Sequence, residues 1–365
     1  MTTALVAGAG VGGLSAAVAL RRVGIEVEVV EQAAAPDRIR VGGGLHLWPN
    51  GMRALAQIGL AERVQDVGET IERLDWHTPV EGVLASADLA ATARKVGAPS
   101  VGIRRADLLG VLLEAVGEDA ISFGTNVLAV SRTADVVVGA DGLHSTLRAE
   151  LFGEDELRCP GVLVCQGAAG RVATMPPAVF TEVSAPELRF GCYPFRNGLN
   201  WFAFVRATEA DELERDPHGY LLERTRGWTA PAHEAIAATP AGAVTWGEVV
   251  ARQPLERWTD GGVALLGDAA HAMTPFTGQG ACQAIEDAVV LSECLRDEPD
   301  VAAALGRYEA RRRPRTVEIW QRSWAGAVSA AKKTRTVDPA RKDAFAARFE
   351  RVVWAQLEQT IVEPF

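Results

Sequence analysis

The feature that most constrains this chain is the run Gly8-Ala9-Gly10-Val11-Gly12-Gly13 near its N-terminus. A short apolar run, Ala4-Leu5-Val6-Ala7, precedes it and reads as a buried strand. An alanine- and leucine-rich stretch from Leu14 to Val23 follows and reads as a helix, with Gly24 as its C-cap. Glu26 to Glu31 (EVEVVE) alternates and is β-branched, which predicts a second strand. Strand, glycine loop, helix and strand therefore follow one another within about 30 residues. That order suits a dinucleotide. Gly8 makes the tight turn, Gly10 lets the backbone approach a pyrophosphate, and Gly13 lets helix and strand pack closely. The helix N-terminus carries partial positive charge that favours the diphosphate. Glu31, 18 positions after Gly13, is set to hydrogen-bond the adenosine ribose. A carboxylate there repels a 2′-phosphate, so the loop fits FAD or NAD rather than NADP, and by itself does not separate the first two.

A second strand–loop–helix unit lies more than 250 residues further on. Val263 to Leu266 (VALL) is strand-like, Gly267-Asp268-Ala269-Ala270-His271 follows, and the loop runs on through Pro275, Gly278, Gln279 and Gly280. Ala281 to Leu295 then has helical periodicity. FAD is long, and a dinucleotide loop holds only its adenosine diphosphate half. Asp268, at a strand end, is placed to accept hydrogen bonds from ribityl hydroxyls. Gly278 and Gly280 leave the backbone bare for a flat ring, and the helix N-terminus would face the edge where reduced flavin carries negative charge. Between the two units, Ala134 to Val138 leads into Gly139-Ala140-Asp141-Gly142-Leu143-His144-Ser145-Thr146-Leu147-Arg148. Asp141 between glycines suits a contact near the cofactor diphosphate.

These three runs together resemble the class A FAD-dependent monooxygenases, the flavoprotein aromatic hydroxylases of the para-hydroxybenzoate hydroxylase type. GAGVGG with Glu31 is similar to the family's dinucleotide loop, GADGLHSTLR to its DG motif, and LLGDAAHAMTPFTGQGACQAIEDA to its GD motif. Ile103-Arg104-Arg105-Ala106-Asp107-Leu108 is similar to an arginine-bearing segment in which Arg105 lies near the diphosphate. Cys282, where many members carry Asn, places the GD helix nearer the urate hydroxylase and zeaxanthin epoxidase branch. The resemblance implies an α/β fold. A Rossmann-type FAD-binding domain (1–158 and 260–330) carries an inserted β-sheet substrate domain (159–259), and a C-terminal helical tail (331–365) closes the chain.

The resemblance also implies a reaction. NADH or NADPH docks briefly and reduces bound FAD. O2 then forms a flavin C4a-hydroperoxide that hydroxylates an aromatic or heteroaromatic small molecule. Epoxidation or Baeyer–Villiger oxidation on the same scaffold, a flavin-binding sensor without turnover, and a plain NAD-dependent dehydrogenase are the alternatives. The implied catalytic positions are Pro275, beside the flavin face, and His271, as a structural hydrogen-bonder or a contributor near the flavin. Tyr193 would orient or deprotonate a phenol.

The middle segment contains a predicted hairpin around Asn197-Gly198. Alternation puts Arg189, Gly191 and Tyr193 on one strand face, and Trp201, Ala203 and Val205 on one face of the next. One such face should roof the ring, with Arg189 or Arg206 holding a carboxylate and Trp201 touching substrate. Asp216-Pro217 predicts an N-cap and first helical residue. The tail, Asp338 to Ile361, has apolar residues at helical spacing and is expected to pack on the body or a partner subunit. Arg311 to Arg313 read as a solvated helix face.

Composition narrows the remaining classes. The net charge of −10 argues against nucleic-acid binding, since an acidic surface repels phosphate backbones. Five cysteines without a C-x-x-C, and six histidines without metal spacing, predict neither a disulfide scaffold nor a metal site. Ala4 to Leu20 is apolar but glycine-interrupted and too short to span a bilayer. A cytoplasmic protein, monomeric or homodimeric and without a membrane partner, is expected.

Overall fold

A computed structural model describes residues 2–40, 42–80, 82–127, 134–229, 231–332, 346–347 and 349–365. Phe345 of the tail pattern lies outside the described residues. A six-stranded sheet joins strands from both ends of the chain. Its order is Thr259–Asp260, Val263–Leu265, Val136–Gly139, Thr3–Ala7, Glu26–Glu31 and Ile121–Phe123, parallel except at the first pair. The central strands are apolar on both faces, as a parallel sheet covered by helices requires. Helix Val11–Arg22 packs against helix Gly280–Asp297 on one of those faces.

The register of this sheet brings the three motifs together. Ala7 pairs with Gly139, and Gly139 pairs with Leu265. The three strands therefore end in one row, and the loops that leave them start side by side at their carboxyl ends. That edge is where ligands bind in open α/β sheets.

A seven-stranded sheet lies over this edge, in the order Thr245–Glu248, Val162–Ala169, Gly198–Arg206, Leu188–Phe195, Val179–Ser184, Arg73–Thr78 and Gly82–Asp88. Its last two strands come from the first third of the chain. The expected boundary at residue 158 therefore cuts this sheet, because strands close in sequence to the dinucleotide unit pair with strands of the middle segment. The expected hairpin forms: Phe195 pairs with Gly198 around a turn in which Asn197 takes a φ of 66°. Asp216 caps Pro217–Arg224, accepting from Gly219 N at 2.9 Å. A small sheet of Gly44–Leu47, Ser100–Arg104 and Glu69–Ile71 bridges the two larger ones. Asn200 ties it to the seven-stranded sheet by accepting from Gly44 N at 2.6 Å.

Helix Val301–Ala331 departs from expectation in one respect. Tyr308, Arg312 and Thr316 recur at four-residue spacing and are fully buried. Arg312 is therefore not on a solvated face. Its guanidinium donates to Asp287 Oδ1, Glu286 Oε2 and Gln283 Oε1, each at 2.7 Å, which satisfies the charge internally.

The glycine loop is packed to the backbone. A Cβ on Gly13 would sit 1.9 Å from Gly8 O, and one on Gly8, at φ 106°, would sit 2.4 Å from Ala140 O. Neither neighbour is a side chain that can move aside. Gly13→Ala should destabilise the protein by about 1–3 kcal/mol, as overpacking does. A denaturation midpoint unchanged from wild type would contradict the packing described.

Candidate functional site

One cavity of about 750 Å³ runs along the shared edge and beneath the seven-stranded sheet. Gly10, Gly12, Ala140 and Gly142 line one end, and Asp268, Pro275, Gly278 and Gly280 line the next stretch. Two glycine loops remote in sequence therefore face a common trough. Its size is that of a cofactor or substrate site.

The residues present fit FAD. Gly10 and Gly280 have open space where a Cβ would point, so the backbone is bare to a ligand. At Gly278 the indole Nε1 of Trp48 would lie 3.0 Å from an added Cβ, and φ is 62°, so only glycine leaves this wall flat. Trp48 Nε1 and Thr277 Oγ1, both buried beside the trough, have no hydrogen-bond partner among the described residues. Buried polar atoms are seldom left so, and a bound polar molecule would satisfy them. Arg105 and Asp268 share the wall. Burial pushes the Asp268 carboxyl up, while His271 and Arg105 pull it down.

Several expected positions do their work inside the protein. Glu31 accepts from Ala9 N at 2.7 Å and Ala33 N at 2.8 Å, which fixes the loop to the end of the second strand. Asp141 accepts from Ser145 Oγ at 2.5 Å and Thr146 N at 2.8 Å, so its carboxylate caps helix Thr146–Phe152 while Ala140 and Gly142 line the cavity. Gln279 lines the cavity, but its amide bonds Asn50 and Gln283. Gly8 and Gly13 shape the turn from behind.

Of its two expected roles His271 takes the structural one, and its place in the catalytic set is corrected. It is 1% exposed, does not line the cavity, and pairs with Asp287 Oδ2 at 2.6 Å. Burial raises the Asp287 carboxyl, but His271 and Arg312 more than offset that and hold it at about 2. A charged Asp287 takes the proton of His271 Nε2 as a hydrogen bond and also accepts from Gly267 N at 3.0 Å. His271 is a structural link between strand end and helix.

Trp201 is corrected as well. Period-2 alternation puts Asn200, Phe202 and Phe204 on the cavity face and Trp201, Ala203 and Val205 on the other. Trp201 stacks on Phe190 in a separate core and donates to Thr239 Oγ1 at 2.8 Å. Arg189 and Tyr193 do face the cavity, together with Phe180, Trp76 and Phe276. Arg206 instead joins Glu187 and Glu209 away from it. Tyr193 accepts from Asn200 Nδ2 at 3.1 Å, and burial raises its pKa. It stays protonated, which suits orienting a ring oxygen rather than removing a proton.

Sequence reasoning missed two parts of this wall. The tail supplies Gln356, Leu357 and Thr360, tied down where Arg315 donates to Thr360 O at 2.6 Å and Arg322 to Gln356 O at 2.6 Å. His46 and Trp48 come from the segment after the second strand; HLWPN was visible there, but nothing in it said which way the side chains point.

Among the described residues no group of three His, Cys, Asp or Glu side chains could hold a metal ion. No described helix is long and apolar enough to cross a membrane.

His46 gives the site a pH dependence. Its Nε2 lies 2.6 Å from Ser100 Oγ, and burial lowers its pKa to about 3 from 6.5. Between these values the unfolded chain binds a proton that the folded chain refuses, so stability rises with pH. The contribution is whole above pH 6.5 and is lost as pH falls toward 3. Acidification from about pH 7.5 to about pH 5 should cost about 2 kcal/mol at this residue. Urea midpoints at the two pH values measure it, and His46→Phe should remove that share of the difference.

Comparison with known proteins agrees with this geometry. The family profile described as FAD binding domain matches residues 1–134 and 130–323. Aurachin C monooxygenase/isomerase of Stigmatella aurantiaca is 38% identical over 324 residues, 84% of each chain. The FAD-dependent urate hydroxylase of Klebsiella pneumoniae is 32% identical over 340 residues, 87% of each. Klebsiella pneumoniae HpxO in complex with FAD and uric acid superposes with a TM-score of 0.87 at 28% identity, covering 100% of this chain and 97% of that one. The chain belongs to the FAD binding domain family, among the class A flavoprotein monooxygenases whose three motifs it carries.

Proposed function

We propose that this protein hydroxylates an aromatic or heteroaromatic small molecule, with bound FAD and with NADH or NADPH as transient reductant. One observation carries the reading: both glycine loops and a compartment walled by aromatic side chains share a single trough. FAD supplies the redox and oxygen chemistry when bound. The residues of the chain bind, orient and keep water out. Gly10, Gly12 and Arg105 would hold the diphosphate and Asp268 the ribityl hydroxyls, while Glu31, bonded to Ala9 N and Ala33 N, would set the loop that receives the adenosine. Gly278, Gly280 and the backbone of Gln279 would take the ring, with Pro275 at its edge.

Phe180, Phe202, Phe204 and Phe276 give the substrate compartment an apolar lining, which suits a flat ring and excludes water. Tyr193 donates a hydrogen bond to a substrate oxygen while Asn200 holds its phenol in place. A relative named for urate supports a heteroaromatic class. We assign the six-stranded sheet and its helices to FAD, and the seven-stranded sheet to substrate. Five free cysteines support a reducing, cytoplasmic setting. The partners are the substrate, the nicotinamide and O2, and the chain acts as a monomer or homodimer.

The purified protein should be yellow. In air, with NADH or NADPH and a panel of phenols and hydroxylated heteroaromatics, a substrate should raise nicotinamide oxidation about tenfold or more and yield a product heavier by one oxygen. A rate that stays at the no-substrate baseline across the panel, with FAD bound, would overturn the hydroxylase in favour of a sensor. Asp268→Ala should lower FAD retained through purification by about tenfold, since a carboxylate acceptor for the ribityl chain is removed from the cavity wall. Retained stoichiometric flavin would remove Asp268 from this role.

A further inference from the structure

The reading of the trough as a ring-binding site underlies this inference, which concerns the charge that site accepts. One row of residues crosses the cavity face of the seven-stranded sheet in register: Trp76, Glu182, Gly191, Phe202 and Gln166. Gly191 has no side chain because the Phe202 ring lies over it; an added Cβ would be 2.3 Å from that ring. Arg189 sits one step along, opposite Ser184 and diagonal to Glu182. Its Nη2 donates to Glu182 Oε2 at 2.7 Å. Its Cζ lies 5.1 Å from the centroid of Trp76 and 5.4 Å from that of Phe276. A carboxylate and two rings therefore fix the guanidinium in one place. Arg189 Nε is buried, with no hydrogen-bond partner among the described residues.

An unpaired arginine here would take a substrate carboxylate through two parallel hydrogen bonds. Glu182 already accepts from Nη2, one prong of that fork, so the pair presents no net charge to the ring. An arriving carboxylate would instead face the Glu182 anion across a poorly solvated wall, where like charges repel strongly. The other cation on this side is also engaged: Arg322 bonds Glu318, Gln356 O and Thr360 Oγ1. Arg105 stands at the FAD end beside Asp268. What remains is an arginine N–H donor at Arg189 beside a carboxylate acceptor at Glu182, on the strand face that also carries Tyr193.

We propose that the Glu182–Arg189 pair is a specificity device that selects uncharged aromatic substrates bearing an adjacent hydrogen-bond donor and acceptor, and turns away aromatic carboxylates.

The test uses 3-hydroxybenzamide and 3-hydroxybenzoate as probes, titrated into the FAD-loaded enzyme and read by the change in flavin absorbance. The two rings differ in charge far more than in shape. Wild type should bind the amide at least about tenfold more tightly than the carboxylate. Glu182→Gln keeps the shape, frees the Arg189 fork and should tighten the carboxylate about tenfold or more, with the amide moved less than about threefold. Arg189→Gln, the second variant, should weaken the amide about tenfold and give no gain for the carboxylate. The proposal is overturned if wild type binds the carboxylate as tightly as the amide. An amide that leaves the spectrum unchanged overturns it too, as does a carboxylate affinity unmoved by Glu182→Gln. Equilibrium binding needs no turnover, so failure to oxidise either ring counts against the hydroxylase reading and leaves the ratio of affinities intact.

Discussion

The structure depends on three parallel strands that stop in the same row. Ala7, Gly139 and Leu265 are register partners, so three loops separated by more than 100 residues leave the sheet side by side. Everything chemical follows from that alignment. The bare backbone at Gly10, the turn at Ala140–Gly142 and the carboxylate of Asp268 become neighbours on one trough. Each loop alone is a small pocket at a strand end; aligned, they form a groove long enough for an extended cofactor. The packing that fixes this alignment is backbone against backbone, as at Gly13 on Gly8 and Gly8 on Ala140.

A second constraint holds the far side of the groove. Helix Gly280–Asp297 carries two adjacent buried carboxylates, Glu286 and Asp287. Arg312 bridges them, Arg315 reaches from Glu286 to the tail carbonyl of Thr360, and Asn50 joins Glu286 to the Gln279 amide. His271 and Gly267 close the network onto the strand end through Asp287. Its charges are buried together and each carboxylate has two partners, so removing Glu286, Asp287 or Arg312 would leave the cluster with an uncompensated buried charge, at a cost of about 3–5 kcal/mol. The network holds the loop that precedes the helix, the strand end and the tail in one arrangement.

The candidate site was partly legible because its logic is local. A glycine loop between a strand and a helix, with an acidic residue at the next strand end, carries its chemistry in the order of residues. Strand alternation likewise said that Arg189 shares a face with Tyr193. It did not say which face meets the groove on the neighbouring strand, and Trp201 went to the wrong side. That choice belongs to pairing: Cys192 opposes Trp201, and Tyr193 opposes Asn200. The residues on the cavity face are therefore Asn200, Phe202 and Phe204. The choice between the two roles of His271 stayed open for a related reason, since its proximity to Asp268 in sequence hides a turn that sends the ring to Asp287.

By itself the sequence determined the α/β class and the dinucleotide loop, because these rest on short spacings that one strand–loop–helix unit must obey, and the resemblance of three such runs together to one family gave the cofactor. The tertiary structure alone decided which carboxylates line the trough and which serve the fold, that strands from residues 73–88 complete the seven-stranded sheet, that the tail walls the cavity, and that Arg189 faces the cavity already paired with Glu182. Those facts depend on partners brought together by sheet register and buried charge. No window of neighbouring residues contains that information, because the groups that satisfy one another lie far apart along the chain.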